Sequence, residues 1–285
     1  MSDEKLGVET VDTDIEAVEE APVVEKIELD RTKGHMLDVA SGTISGDLPA
    51  GYIDKDGAIH RTFVAKEMTG HEEDLLAGVG PVMPRLNQMI TNCLLSLGSI
   101  TDRKSISTGV SQLTAVDRIV ILMAIRRASL GDFWSAKITC PKCDKQDNFT
   151  IDLKNMEIVP MRDPSKRRFE TVLTTGKKIQ WHIMSSEDEE WLTKKIKAQE
   201  DVLTLGLMAR VEKVDEDTVD RTGDYKGAVR ILKGLRLIER REIRSTTKEH
   251  EGSVDTTVEF SCKFCGNDWA SELNIGRPDF FFPSE

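Results

Sequence analysis

Four cysteines fall into two pairs of the same spacing, Cys140-Pro141-Lys142-Cys143 and Cys262-Lys263-Phe264-Cys265, while Cys93 stands alone. Two thiolates set two residues apart on a turn can both reach one ion at ~2.3 Å, and N–H groups in the turn soften the sulfur charge. One such pair is half of the tetrahedral set that structural zinc takes. Two pairs complete it. The expectation is one structural Zn2+ per chain, held by Cys140, Cys143, Cys262 and Cys265. Each pair also keeps part of the Cys-Pro-x-Cys-Gly pattern of such turns, the first its Pro141 and the second its Gly266. Asp144 stands at the glycine position of the first pair. Aspartate enters the left-handed backbone region more readily than most residues, so the exchange is tolerable.

Two plainer readings stand beside the metal. Either pair can be buried thiols, and a Cys-x-x-Cys can be a redox couple. Redox pairs owe their low pKa to a helix N-terminus, whereas both pairs here lie between alternating, strand-like segments. Cys93 sits on an apolar helical face and reads as a small core residue. The five histidines (His35, His60, His71, His182, His250) are scattered, and none neighbours a Ser or Cys in a nucleophile motif. His60 and His182 hold similar places after their turns, which reads as strand histidines on a polar face. The acids Glu72-Glu73-Asp74 and Glu187-Asp188-Glu189-Glu190 fall in expected first helical turns, where they suit the helix dipole. A closed four-thiolate site leaves no position for water, and no Gly-rich phosphate loop is present. The expected protein is therefore not an enzyme and takes no small-molecule substrate.

The elements that must position the cysteines come in an order that is met twice. Gly51-Tyr52-Ile53, the turn Asp54-Lys55-Asp56-Gly57 and Ile59 to Met68 read as a hairpin, with Gly57 supplying the positive φ. Phe169 to Leu173, Thr174-Thr175-Gly176 and Ile179 to Ile183 read as another. A hydroxyl with an acid three residues on follows each hairpin: Thr69 with Glu72, and Ser185 with Asp188, 116 residues later. Each is a capping-box signature. Leu86, Met89, Ile90, Cys93, Leu94 and Leu97 then predict one helical face, with Val202, Leu203, Leu205, Leu207, Met208 and Val211 as counterpart. A further helix is predicted from Thr114 and Asp117 through Ile125, answered by Ala228 to Ile238. Trp134, Ala136 and Ile138 alternate before Cys140, and Phe149, Ile151 and Leu153 after Cys143. Val254, Thr256, Val258 and Phe260 precede Cys262, and Trp269, Ser271, Leu273 and Ile275 follow Cys265. The pairs are 122 residues apart, close to the spacing of the capping boxes, as an ancient duplication would leave them.

This pattern predicts an α+β fold of two pseudo-repeated halves, 46–164 and 165–285. Each is a hairpin, about three helices and a β-Cys-x-x-Cys-β knuckle, joined at one four-cysteine zinc site. Residues 1–45 read as a disordered acidic tail: the first thirty carry eleven acids against two lysines, a charge of −9. The whole chain is −11, which leaves −2 on the remainder. A body this nearly neutral lacks the basic stripe that phosphate demands, so nucleic acid is not the expected partner. The longest apolar run, Ile119 to Ile125, is far short of a membrane span, and an acidic start is unlike a signal peptide. The expectation is a cytoplasmic protein. At the C-terminus Phe280-Phe281-Phe282 reads as core docking, with an exposed partner patch as the alternative.

One resemblance rests on a longer string of residues. Gly51-Tyr52-Ile53-Asp54-x-Asp56-Gly57-x-Ile59-His60-Arg61 is followed by Thr69-Gly70-x-Glu72-Glu73. Leu130-Gly131-Asp132 then comes before Cys140-Pro141-Lys142-Cys143. This order resembles the T4-type baseplate hub assembly chaperone family, baseplate proteins of contractile-tailed phages and related injection systems, over about residues 48–285. The resemblance implies a role in building a baseplate hub. Its partners would be other baseplate or hub proteins, and its place the host cytoplasm or the virion. A zinc-ribbon nucleic-acid-binding protein is the alternative of a different class, and a metalloenzyme with an open metal position is a third.

Overall fold

Strand-forming alternation around two turn sequences builds the first sheet. In a computed structural model, which describes residues 36–38, 42–196 and 201–282, β1 (Met36–Asp38), β2 (Thr43–Ile53) and β3 (Ile59–Lys66) pair antiparallel. Most of the acidic tail, residues 1–35 and 39–41, lies outside the described residues. Regular structure nonetheless begins before residue 46, because Met36–Asp38 pairs with Thr43–Ser45. Gly57 closes the β2–β3 turn with φ 83°, as its place there requires.

Thr69 caps α1 (Gly70–Ala77): its N–H and its hydroxyl both donate to the Glu72 carboxylate, at 2.9 and 2.7 Å. Next come α2 (Val82–Cys93) and β4 (Leu94–Leu97), then α3 (Arg103–Gln112) and α4 (Ala115–Leu130). The strand β4 corrects the expected helix, which stops at Cys93 rather than running to Leu97. Leu94 turns to an extended conformation and the segment pairs with β3, Phe63 opposite Leu97. Leu94 and Leu97 are both buried, so the helical spacing of leucines also serves a short strand against the core. The open edge of β3 needed a partner for its backbone groups, and that need outweighed the local pattern.

The hairpin of β5 (Phe133–Thr139) and β6 (Gln146–Asp152) closes this stretch, followed by a 3-10 turn at Leu153–Asn155 and β7 (Ile158–Val159). The second stretch opens with β8 (Arg168–Val172) and β9 (Lys178–His182). It continues through α5 (Ser186–Ile196), α6 (Val202–Met208), β10 (Val211–Val214) and β11 (Asp217–Thr218). After α7 (Tyr225–Gly234), α8 (Leu237–His250) and β12 (Ser253–Val254), it ends in β13 (Thr257–Ser261), β14 (Asp268–Glu272) and α9 (Pro278–Phe281). The same correction recurs here. Val211 leaves the helix for β10, which pairs with β9 as β4 does with β3. Ala228 to Ile238 is two helices, broken at Leu235-Arg236, so among the described residues the first stretch holds four helices and the second five, with α9 counted, rather than about three each.

His35–Glu285 is one compact unit with two apolar clusters. The larger gathers Phe63, Leu86, Ile90, Leu97, Val110 and Ile121, and takes in Leu273, Ile275, Phe280 and Phe281 from the chain's end. Phe280 and Phe281 are 1% exposed, the core docking expected of the Phe-rich end, while Phe282 stays 36% exposed. Each such side chain contributes ~1.5–3 kcal/mol by burial. The smaller cluster is built around Trp181, Ile179, Met208 and Leu232, with Ala50 and Val116 reaching in from the first stretch.

Between the two clusters lies a polar seam. Asp117 in the first turn of α4 accepts the Ala50 and Gly51 N–H groups at 2.8 and 3.3 Å and the Thr114 hydroxyl at 2.9 Å. The Ser186 N–H donates to the Leu113 carbonyl at 2.8 Å, and Arg118 donates to the Ser186 hydroxyl at 3.2 Å and pairs with Glu189. Arg167 caps the Ala50 and Gly51 carbonyls from the other side. No helix of the described residues is long and apolar enough to cross a membrane.

Candidate metal centre

Both cysteine turns are built by the same hydrogen bonds. The Cys140 N–H donates to the Lys145 carbonyl at 3.0 Å, and the Asp144 N–H returns to the Cys140 carbonyl at 3.0 Å. In the second turn the Cys262 N–H donates to Asn267 at 2.9 Å and the Gly266 N–H to Cys262 at 2.8 Å. Both turns need one residue in the left-handed region to close. Asp144 takes φ 56° and Gly266 takes φ 63°, so aspartate does fill the place of the glycine.

The two hairpins stand against each other through aromatic rings. Phe149 on β6 meets Phe260 on β13 edge-on at 4.9 Å between centroids, and Phe260 stacks on Trp269 of β14 at 5.4 Å. Lys263 pairs with Asp147 across the gap. These contacts bring all four sequence-predicted ligands together: their sulfurs lie within 4.8 Å of one another. Cys140 Sγ is 3.8 Å from Cys265 Sγ, and Cys143 Sγ is 3.7 Å from Cys262 Sγ. A disulfide needs ~2.05 Å, and all four thiols are free. Four sulfurs placed tetrahedrally at ~2.3 Å from a zinc ion would stand about 3.8 Å apart. The close pairs each take one cysteine from either turn, so both turns share the cluster. The donor set, count and spacing all fit a four-thiolate site for one soft or borderline divalent ion.

The protons on these sulfurs are not independent. Burial disfavours the Cys262 thiolate, but the Phe264 and Cys265 N–H groups and the neighbouring thiols outweigh it and draw this thiol down to about 7. The Asn267 N–H favours the Cys265 thiolate, yet burial and three neighbouring sulfurs push it up to about 12. Cys140 and Cys262 are buried, and Cys143 and Cys265 are half-buried. The Lys142 N–H points at Cys140 Sγ at 3.4 Å.

Cys93 stays apart from the site. It is fully buried on α2, and burial, with the nearby Glu72 carboxylate, pushes its thiol up to about 12. His60 pairs with Asp54 at 2.9 Å, and His182 with Asp188 at 3.2 Å, so both ring positions are taken by carboxylates rather than by a shared site. What sequence reading missed is the support: the Phe149–Phe260–Trp269 stack and the Lys263–Asp147 pair. The three aromatics fall in the alternating pattern of their strands, but nothing local to either hairpin says that they meet.

No curated protein and no solved structure gives a significant match to this chain. A profile of the family described as T4 bacteriophage base plate protein matches residues 61–282, which takes in both cysteine pairs, most of β3 and every element from α1 to α9. The chain belongs to the T4 bacteriophage base plate protein family.

Proposed function

We propose that the chain is a non-enzymatic assembly protein for the baseplate hub of a contractile phage tail, with one structural zinc ion in the four-cysteine cluster. The observation that carries this reading is the convergence of four thiols inside a chain of the base plate family. When bound, the ion supplies a cross-link between turns 122 residues apart in sequence. The chain's own residues do the remainder. Turn N–H groups hold the sulfurs, the aromatic stack fixes the hairpins, and Lys142, Lys145 and Lys263 supply positive charge beside the thiolates.

Each turn is read as a zinc knuckle, and the two stretches as copies of one ancestral unit. The order β-β-α-α-β-α-α-β-β supports this, running from β2 to β6 and, with β11 and β12 inserted, from β8 to β14. In this account the protein acts on other baseplate or hub proteins in the host cytoplasm, as a chaperone or as a minor component carried into the particle. A null mutant should make heads and host-recognition fibres but fail to complete baseplates. Normal infectious particles from that mutant would overturn the proposal. Mass spectrometry of purified particles beside infected-cell lysate separates the two modes, since a chaperone is found only in the lysate.

A further inference from the structure

The near-neutral body conceals a concentrated basic face. Between Lys226 and Lys248 the chain carries eight Lys and Arg against two acids, a net +6. On α8, Glu239, Ile243 and Thr247 are buried, and of the exposed positions Leu237, Arg241, Arg244 and Lys248 form one stripe, with Ser245 and Glu249 exposed along its side. Their spacing of four, three and four residues is that of a single helical face. Lys226, Arg230 and Lys233 repeat the pattern on α7, whose buried side is Gly227, Ala228 and Leu232.

Among the described residues Arg241, Arg244 and Lys248 have no ion-pair partner, and neither do Lys226 and Arg230. The arrangement is unfavourable for the isolated helix. Arg241 to Arg244 and Arg244 to Lys248 are like-charge neighbours, and Arg236, Arg240 and Arg241 crowd the positive end of the α8 dipole. An anionic partner relieves both costs. The face is not purely ionic, however. Leu237 is 79% exposed and Ile238 58% exposed at its N-terminal end, and these side chains gain nothing from a phosphate backbone. They favour a partner that mixes carboxylates with aliphatic side chains.

This chain contains such a segment. Residues 3–30 interleave eleven acids with Val8, Val11, Ile15, Val18, Val23, Val24, Ile27 and Leu29. We propose that the exposed face of α8 receives the acidic N-terminal segment of a second copy of the protein, so that copies associate head to tail.

Sedimentation equilibrium of the full chain tests this. The wild type should self-associate in a concentration-dependent way that weakens steeply with added salt. Triple substitution R241E/R244E/K248E should weaken association at least tenfold, and so should E16K/E19K/E20K in the acidic segment. Combining both sets in one chain should restore it, a rescue that a misfolded variant cannot give. A synthetic peptide of residues 3–30 should compete. A protein that is monomeric at all concentrations, or association untouched by both triple variants, would overturn the proposal. Saturable binding of duplex DNA lost in R241E/R244E/K248E, without self-association, would overturn it in favour of a phosphate site.

Discussion

The two cysteine turns differ at the residue after their second cysteine in a way that separates what the site requires from what it tolerates. Both close through the same pair of backbone hydrogen bonds, and both place the residue after the second cysteine in the left-handed region. The second turn uses Gly266, for which that conformation is free of steric cost, and the first uses Asp144, for which it is not. The geometry is therefore the requirement, and the residue type is secondary. The surrounding stretches repeat this lesson on a larger scale. Each sends a helix into a strand that completes the sheet started by its hairpin, β4 on β3 and β10 on β9, with almost no shared residues. They part company in their cores. The first cluster takes in the tail of the chain, whereas the second takes Ala50, Val116 and Met161 in return.

If the turns share one ion, breaking either turn should break both. Replacing Cys262 with Ser should strip the metal from Cys140 and Cys143 as well. It should lower the Tm by on the order of 10 °C, as about 4 kcal/mol is worth at ~2–4 °C per kcal/mol for a chain near this size. A chelator should reproduce that fall in the wild type and add nothing to the variant, which differential scanning calorimetry can check.

Next in size is the seam between the clusters. Asp117 is buried and serves two backbone donors and the Thr114 hydroxyl, so Asp117→Ala leaves the Ala50 and Gly51 N–H groups without a partner. A cost of about 3 kcal/mol is expected in urea unfolding, since each orphaned buried group costs ~1–3 kcal/mol. No change in midpoint would show that the seam contributes nothing.

The acid of the Ser185 cap, counterpart of Glu72 in the first stretch, has a pH signature. Burial opposes ionisation of Asp188, but hydrogen bonds from His182 and from Ser185 outweigh it and hold the carboxyl well below its usual range. A depressed folded pKa adds stability that is complete above the unfolded value, ~3.9, and is lost as pH falls through the folded value. Asp188→Asn should therefore flatten the acid limb of the stability curve below about pH 4. An unchanged acid limb would assign that loss to other carboxylates.

The smallest effects bear directly on the two turns. Gly266→Ala should destabilise by about 1 kcal/mol, because a Cβ is strained at φ 63°. Asp144→Gly should stabilise or leave unchanged, within about 1 kcal/mol, because it relieves the same strain. A cost at Gly266 and none at Asp144 is the expected result, and a cost at both would show that the Asp144 side chain has a role of its own.

Much of this was legible residue by residue. Thr69–Glu72, Ser185–Asp188 and Thr114–Asp117 sit where their caps predict, and Asp144 takes the backbone its neighbours implied. The hairpins followed from Gly57 and Gly176. What sequence reading could not show depends on distant partners. Leu94 to Leu97 continues a helical period and becomes a strand only because β3 offers an edge. The break between α7 and α8 does carry a local mark, Gly234 at the end of α7, but the apolar spacing from Ala228 to Ile238 runs straight across it, and averaging charge over the body hid the α8 face. The site itself was legible because spacing is chemistry there, while the stack of Phe149, Phe260 and Trp269 that supports it is a tertiary fact.

The central claim is one shared ion, and native mass spectrometry of the intact full-length chain, with elemental analysis of the same sample, measures it directly. The account predicts one zinc per chain, absent after any single Cys→Ser change at 140, 143, 262 or 265 and unaffected by Cys93→Ser. Two zinc ions per chain, or a full equivalent kept by a chain lacking Cys262 and Cys265, would contradict it.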